Sequence, residues 1–156
     1  MEKVYLVSAC LLGINCRYDG NTAFISRIKS YLKNKSVLLI CPEKLGGLST
    51  PRLPVQIVGK ESGKKYDGKS VWQKKARLLS ERGQDLTPYF LTGCRLADKL
   101  LKKIRVKKAF LKARSPSCGC GKVYNRNVST GQIYMVKGDG VLTALLKQRK
   151  IPIKSI

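Results

Sequence analysis

Apolar residues in this chain gather in short runs rich in branched side chains, separated by stretches of helical periodicity. Residues 4–8 and 37–41 are such runs, the pattern of buried parallel strands. Between them Phe24, Ile28, Tyr31 and Leu32 recur at helical spacing within residues 22–34, with Thr22 placed to cap the N-terminus. Residues 44–68, with Pro51, Pro54 and several glycines, read as an extended loop or hairpin whose one strand candidate is 55–58. Two helices are predicted next, over 69–82 and 86–104, the second starting at Asp85 or Leu86 with Pro88 tolerated in its first turn. Residues 106–112 form the next strand candidate. The turn-rich stretch 119–138 holds a short edge segment at 132–136. A last helix runs from Asp139 or Gly140 to 149, and residues 151–153 close the sheet. This alternation predicts one α/β domain over residues 1–156, three-layered and Rossmann-like, with a mainly parallel sheet and helices on both faces.

Length and composition narrow the class. A chain of 156 residues supports a single buried core. No apolar run approaches the roughly 20 residues of a membrane span. The first strand follows Met1-Glu2-Lys3 directly, without a basic leader, so the expected location is cytoplasmic, where thiols stay reduced. Six cysteines there point to metal binding or catalysis rather than to disulfides. Lysine and arginine number 32 against 9 acidic residues, a formal charge of +23 that attracts polyanions. These cations are strewn along the whole chain, without the aromatic-and-basic pattern of an RNA-recognition module, so both a lysine-rich surface and a nucleotide or RNA partner fit. Histidine is absent, which excludes imidazole ligands and an imidazole base.

Three cysteines share one setting. Cys10, Cys41 and Cys118 each follow an apolar run and precede proline or glycine backbone, the strand-end position where loops of an α/β fold converge. Cys94 reads as a small buried hydrophobe on a helix, and Cys118-x-Cys120 is cramped for two ligands of one ion. Zinc held by four thiolates favours paired C-x2-C knuckles, and none exists here. Spacings of 31 and 77 residues suit a larger object gripped from separate loops. Iron–sulfur clusters are held by thiolates, and three ligands to a cubane leave one iron open as a Lewis acid. Cys16 is either a fourth ligand or a thiol beside the cluster. Two rival readings stand next to this one: a zinc-stabilised nucleic-acid-binding module, and a thiol redox protein using Cys10 and Cys16. The second lacks the C-x-x-C spacing of low-pKa thiols.

Specific motifs sharpen the choice. Val7-Ser8-Ala9-Cys10-Leu11-Leu12-Gly13 with Asn15-Cys16-Arg17-Tyr18-Asp19-Gly20 resembles the opening signature of the thiouracil desulfidase (TudS) family. Cys41-Pro42-Glu43-Lys44-Leu45-Gly46-Gly47 through Pro51-Arg52 resembles its second motif, and Lys112-Ala113-Arg114-Ser115-Pro116-Ser117-Cys118-Gly119 its third. Residues 83–87 and 138–146 are similar to weaker blocks. The likeness covers nearly the whole chain, in order. Gln56 departs from it, standing where an acidic residue is usual, as does Cys94 in place of a common alanine.

The resemblance implies a 4Fe–4S enzyme that removes sulfur as sulfide, without net redox change, from a thiolated uracil base, its nucleotide or 4-thiouridine in tRNA. Carried over by motif, Cys10, Cys41 and Cys118 are the ligands, with Cys16 the competitor of Cys10. Glu43 is then the leading proton acceptor, or else a loop carboxylate paired with Arg52 or Arg17; Asp19 is the alternative base. Ser115 and Ser117 are placed to hydrogen-bond the pyrimidine or orient water, or to satisfy their own loop. Arg17, Arg52 and Arg114 are candidates to receive a phosphate.

Overall fold

In chain order the elements are β1 (Lys3–Ser8), a 3-10 turn (Ala9–Leu12), α1 (Ser26–Tyr31), β2 (Val37–Ile40), α2 (Pro42–Leu45), β3 (Val55–Gly59) and α3 (Gly68–Trp72). They continue as β4 (Ala76–Ser80), α4 (Thr87–Leu101), β5 (Arg105–Leu111), β6 (Lys122–Arg126), β7 (Ile133–Lys137), α5 (Val141–Gln148) and β8 (Ile153–Ser155). These come from a computed structural model that describes residues 2–156. The fold is α/β, built on a parallel sheet of order β2-β1-β5-β8. Successive residues of a strand face opposite sides. Tyr5, Val7 and Phe110 therefore pack with Ile28 and Leu32 on the α1 side. Leu6, Ala109 and Leu111 face the other way, into a larger core with Phe90, Cys94, Ala97 and Leu101 of α4 and Val141, Leu142 and Leu146 of α5. Covering both faces is what makes Val4–Val7 of β1 and Ala109–Leu111 of β5 apolar without a break.

A second sheet, of order β4-β3-β6-β7, closes the far side of that larger core through Ile57, Leu78, Val123 and Val136. It is mixed: β3 runs antiparallel to β4, meets β6 in parallel only at Ile57–Asn125, and β6 and β7 form an antiparallel hairpin. The sequence pattern anticipates β3 at 55–58 and β7 at 132–136 but misses β4 and β6. The helix expected over 69–82 is the single turn of α3, opened by a reciprocal Asp67–Ser70 cap, followed by a strand. Lys74, in the left-handed region at φ 61°, turns the chain out of the helix. Beyond it Ala76, Leu78 and Ser80 are buried while Arg77 is exposed, a period of two. The stretch 119–138 likewise hides β6, whose alternation is masked by polar residues. The first helix is also shorter than expected. Thr22 makes a local turn, accepting from the Phe24 N–H at 3.4 Å, and Phe24 and Tyr31 remain 46% and 49% exposed. No helix among the described residues is long and apolar enough to cross a membrane.

One packing contact positions the chemistry. The turn of α2, which carries Glu43, lies directly on α4, backbone against backbone. A Cβ on Gly93 would come within 1.8 Å of the Pro42 carbonyl oxygen, and one on Gly46 within 1.9 Å of the Tyr89 carbonyl oxygen. Only a residue without a side chain fits there. Gly93→Ala is expected to lower stability by about 3 kcal/mol, the upper end for overpacking a well-filled interior, as read from urea unfolding.

Candidate active site

β2, β1 and β5 are neighbours and parallel, so their C-terminal ends open on one edge of the sheet, where α/β proteins place ligands. Each end delivers a cysteine. Cys10 lies in the 3-10 turn that continues β1, and Cys41 follows β2 as the residue entering α2. Cys118 comes from the loop after β5. That loop is tied down by the start of α5: the N–H groups of Gly140, Val141 and Leu142 donate to the carbonyls of Gly119, Pro116 and Ser117 at 2.7, 3.0 and 2.9 Å. The Thr143 hydroxyl donates to the Cys118 carbonyl at 2.9 Å. Donors that a helix N-terminus leaves unused thus hold the cysteine loop in place.

The result is a cavity of about 520 Å³ whose lining includes Cys10, Cys16, Cys41 and Cys118, all free thiols. Cys10 and Cys16 root in the core on the α1 side, Cys118 in the larger core. The four are not equivalent. A hydrogen bond from the Cys16 thiol lowers the pKa of Cys10 below its ordinary value, and the same bond raises that of Cys16. Hydrogen bonding to Cys16, then burial, pushes the Cys41 thiol up. Burial pushes Cys118 up to about 12, against hydrogen bonds from Ser8 and Ser117. Among the described residues, no three Cys, Asp or Glu side chains are set around a point the size of one metal ion.

Beside the thiols lies a continuous polar chain. Glu43 Oε1 accepts from Arg52 Nε at 3.2 Å and Nη2 at 3.0 Å, with side-chain exposures of 12% and 6%. Glu43 Oε2 accepts from the Ser117 hydroxyl at 2.9 Å. Ser115 Oγ stands 3.0 Å from Ser117 Oγ and accepts from the N–H groups of Ser117 and Cys118 at 3.2 and 3.1 Å. Arg52 spends its remaining donors on Ser49 O, Thr50 Oγ1 and Cys16 O, at 3.1, 3.3 and 2.9 Å. All five of its N–H groups are engaged within the protein, so Arg52 is a clamp and the expected phosphate role falls to other cations.

Arg17 and Arg114 do line the cavity, Arg17 with its guanidinium 4.0 Å from Asp19 Oδ2. Asp19 itself is outside the lining. The Asn21 N–H, donating at 3.0 Å, holds its carboxyl below the usual range, a setting that makes a poor base. Cys94 is a buried core residue on α4, and Cys120 is not in the cavity. Several lining residues escaped the sequence reading. Lys112 is one: burial, with Arg17 adding repulsion, pushes its ammonium below its ordinary pKa. Its place at the start of the third motif was the available signal. Tyr124 comes from the unforeseen β6, Ile133 from the expected edge segment that is β7, Leu53 and Pro54 from the segment read as loop, and Gln56 from the strand expected at 55–58.

The model of the 2-thiouracil desulfurase family matches residues 5–155. The chain belongs to that family. A desulfurase-family fold also accounts for its likeness to a solved structure, that of the 4Fe–4S-dependent thiouracil desulfidase TudS: 34% identity and a TM-score of 0.75, covering 99% of this chain and 91% of the other. The uncharacterized protein YbbK of Bacillus subtilis is 39% identical over 143 residues, 92% of this chain and 89% of its own.

Because Arg52 and Glu43 are both nearly buried, removing one leaves the other's charge uncompensated. Arg52→Met is expected to lower stability by about 3–5 kcal/mol, measured by chemical denaturation.

Proposed function

We propose that this chain is a desulfidase that uses a 4Fe–4S cluster to replace the sulfur of a thiolated uracil by oxygen, releasing sulfide. The observation that carries the reading is the meeting of Cys10, Cys16, Cys41 and Cys118 around one cavity, with the Glu43–Ser117 pair beside them. The donor set fits such a group. Thiols arrive from three strand ends, unpaired, around a space too wide for a single ion. Lys112, Arg17 and Arg114 in the same lining offset the negative charge that thiolates would bring. Cys10, Cys41 and Cys118 would hold the cluster; Cys16, hydrogen-bonded to Cys10 and Cys41, would be the thiol beside it. When bound, the cluster supplies a thiophilic Lewis acid that polarises a thiocarbonyl and accepts its sulfur.

The remaining steps belong to side chains. Exchange of C=S for C=O consumes one water and yields hydrogen sulfide, with no electrons gained or lost. Water must lose protons as it attacks carbon. Glu43 is the acceptor, and its geometry limits how: Oε1 is fixed by Arg52, so Oε2 is the atom that receives the proton, directly or through the Ser117 hydroxyl. Ser115 holds Ser117 in that orientation and steadies the backbone at Cys118. Arg17 and Arg114 are the candidates to receive a phosphate if the base arrives as a nucleotide or within tRNA.

Protein reconstituted without oxygen is expected to bind about four irons per chain with inorganic sulfide, and to release sulfide from 4-thiouracil or 4-thiouridine compounds. One zinc with no iron would instead favour the nucleic-acid-binding alternative. Glu43→Gln should lower kcat by about a hundredfold or more with the cluster absorbance retained, the scale of a lost general base. Full activity in that variant removes Glu43 from the chemistry.

A further inference from the structure

Gln56 sits on β3, whose backbone is committed to the ladder opposite Leu79. Its neighbour Ile57 points into the core, and Gln56, on the opposite face of the strand, lines the cavity beside Pro54 and Val55. It is only 6% exposed. Among the described residues its Oε1 is the one buried side-chain oxygen or nitrogen without a hydrogen-bond partner. Buried polar atoms are almost always paired, because desolvating an amide oxygen without a donor opposes folding. In the same lining Arg52 is fully engaged, and Lys112 Nζ directs one donor to the Ala113 carbonyl at 3.1 Å. An apolar side chain of similar volume would fill the place without that penalty. A glutamine on the wall of a cavity can take its missing donor from within that cavity.

We propose that Gln56 is a specificity-determining residue that reads the imide edge of the pyrimidine ring. This deepens the desulfidase reading and rests on it. A primary amide offers an acceptor and a donor side by side in one plane. The –NH–C(=O)– edge of a uracil ring offers the matching donor and acceptor: the ring N–H donates to Oε1, and the ring carbonyl accepts from Nε2. Rotation about the soft terminal torsion lets the amide present its two ends in either order. In a thiouracil one flank of that ring N–H is a carbonyl and the other is the thiocarbonyl. An amide that takes the N–H and carbonyl leaves the C=S edge free to turn toward the thiols.

The test measures binding of uracil and of 3-methyluracil to the cluster-loaded protein, with sulfide release from 4-thiouracil in the same preparation. The wild type is expected to bind uracil about tenfold or more tightly than the N-methylated ring, as a site with a buried polar partner does. Gln56→Leu should lose that preference and raise KM for 4-thiouracil by a similar factor with kcat little changed. Its melting temperature should hold or rise, because an unpaired buried oxygen has been removed. Gln56→Glu, which keeps an acceptor for the ring N–H but lacks the amide donor to the ring carbonyl, should keep the preference and bind uracil more weakly. Equal binding of both rings by the wild type overturns the assignment. So does an unchanged preference in Gln56→Leu, or a lower melting temperature in that variant with uracil binding intact. Sulfide release with unaltered KM in both variants retires Gln56 and keeps the desulfidase reading. Uracil binding that depends on Gln56 without any sulfide release retires the desulfidase reading and keeps Gln56.

Discussion

Arg52 is the group on which the local arrangement turns. Its planar guanidinium holds a carboxylate from the turn after β2, a carbonyl from the loop after β1, and two groups of its own loop. Three segments remote in sequence are thereby fixed relative to one another, and a fourth joins through Glu43 and Ser117. A lysine could not do this, since it offers a point charge rather than a fork of fixed directions. The pair is also nearly dry, so the arrangement is held strongly and does not adapt: each partner needs the other to stay charged inside the fold.

The parallel sheet supplies the rest. Strands β2, β1 and β5 lie side by side, and a loop leaving the same end of each brings its cysteine to a common edge. The backbone geometry of the sheet does this without help from side chains. What side chains add is fine placement: the α5 N-terminus grips the Cys118 loop, and the Gly46–Gly93 approach seats the Glu43 turn on α4.

How far the sequence reveals this depends on which physical signal each segment carries. β1 is buried on both faces over Tyr5–Ser8, and β2 and β5 run apolar into buried ends at Ile40 and Ala109–Leu111, so these runs stand out and the cysteines at their ends are easily found. The hairpin of β6 and β7 has one face in solvent, where Lys122, Tyr124 and Ile133 interrupt the expected contrast. β4 was mistaken for helix because Arg77-Leu78-Leu79 fits either period over so short a span. Consequently the place of Tyr124 in the cavity wall was invisible, and Ile133 and Gln56 were legible as strand residues without their position there, whereas the edge bearing the thiols stood out. Arg52 was legible as a cation near the site. Its clamp role was not, because that follows from three contacts made across distant segments.

Cys10 and Cys16 grow out of one hydrophobic layer and Cys118 out of the other, on opposite sides of the parallel sheet. Anything that grips both kinds of thiol acts as a rivet through the molecule, joining layers that otherwise touch only across a single thickness of strands. Its binding free energy then adds to the resistance of the whole fold to opening.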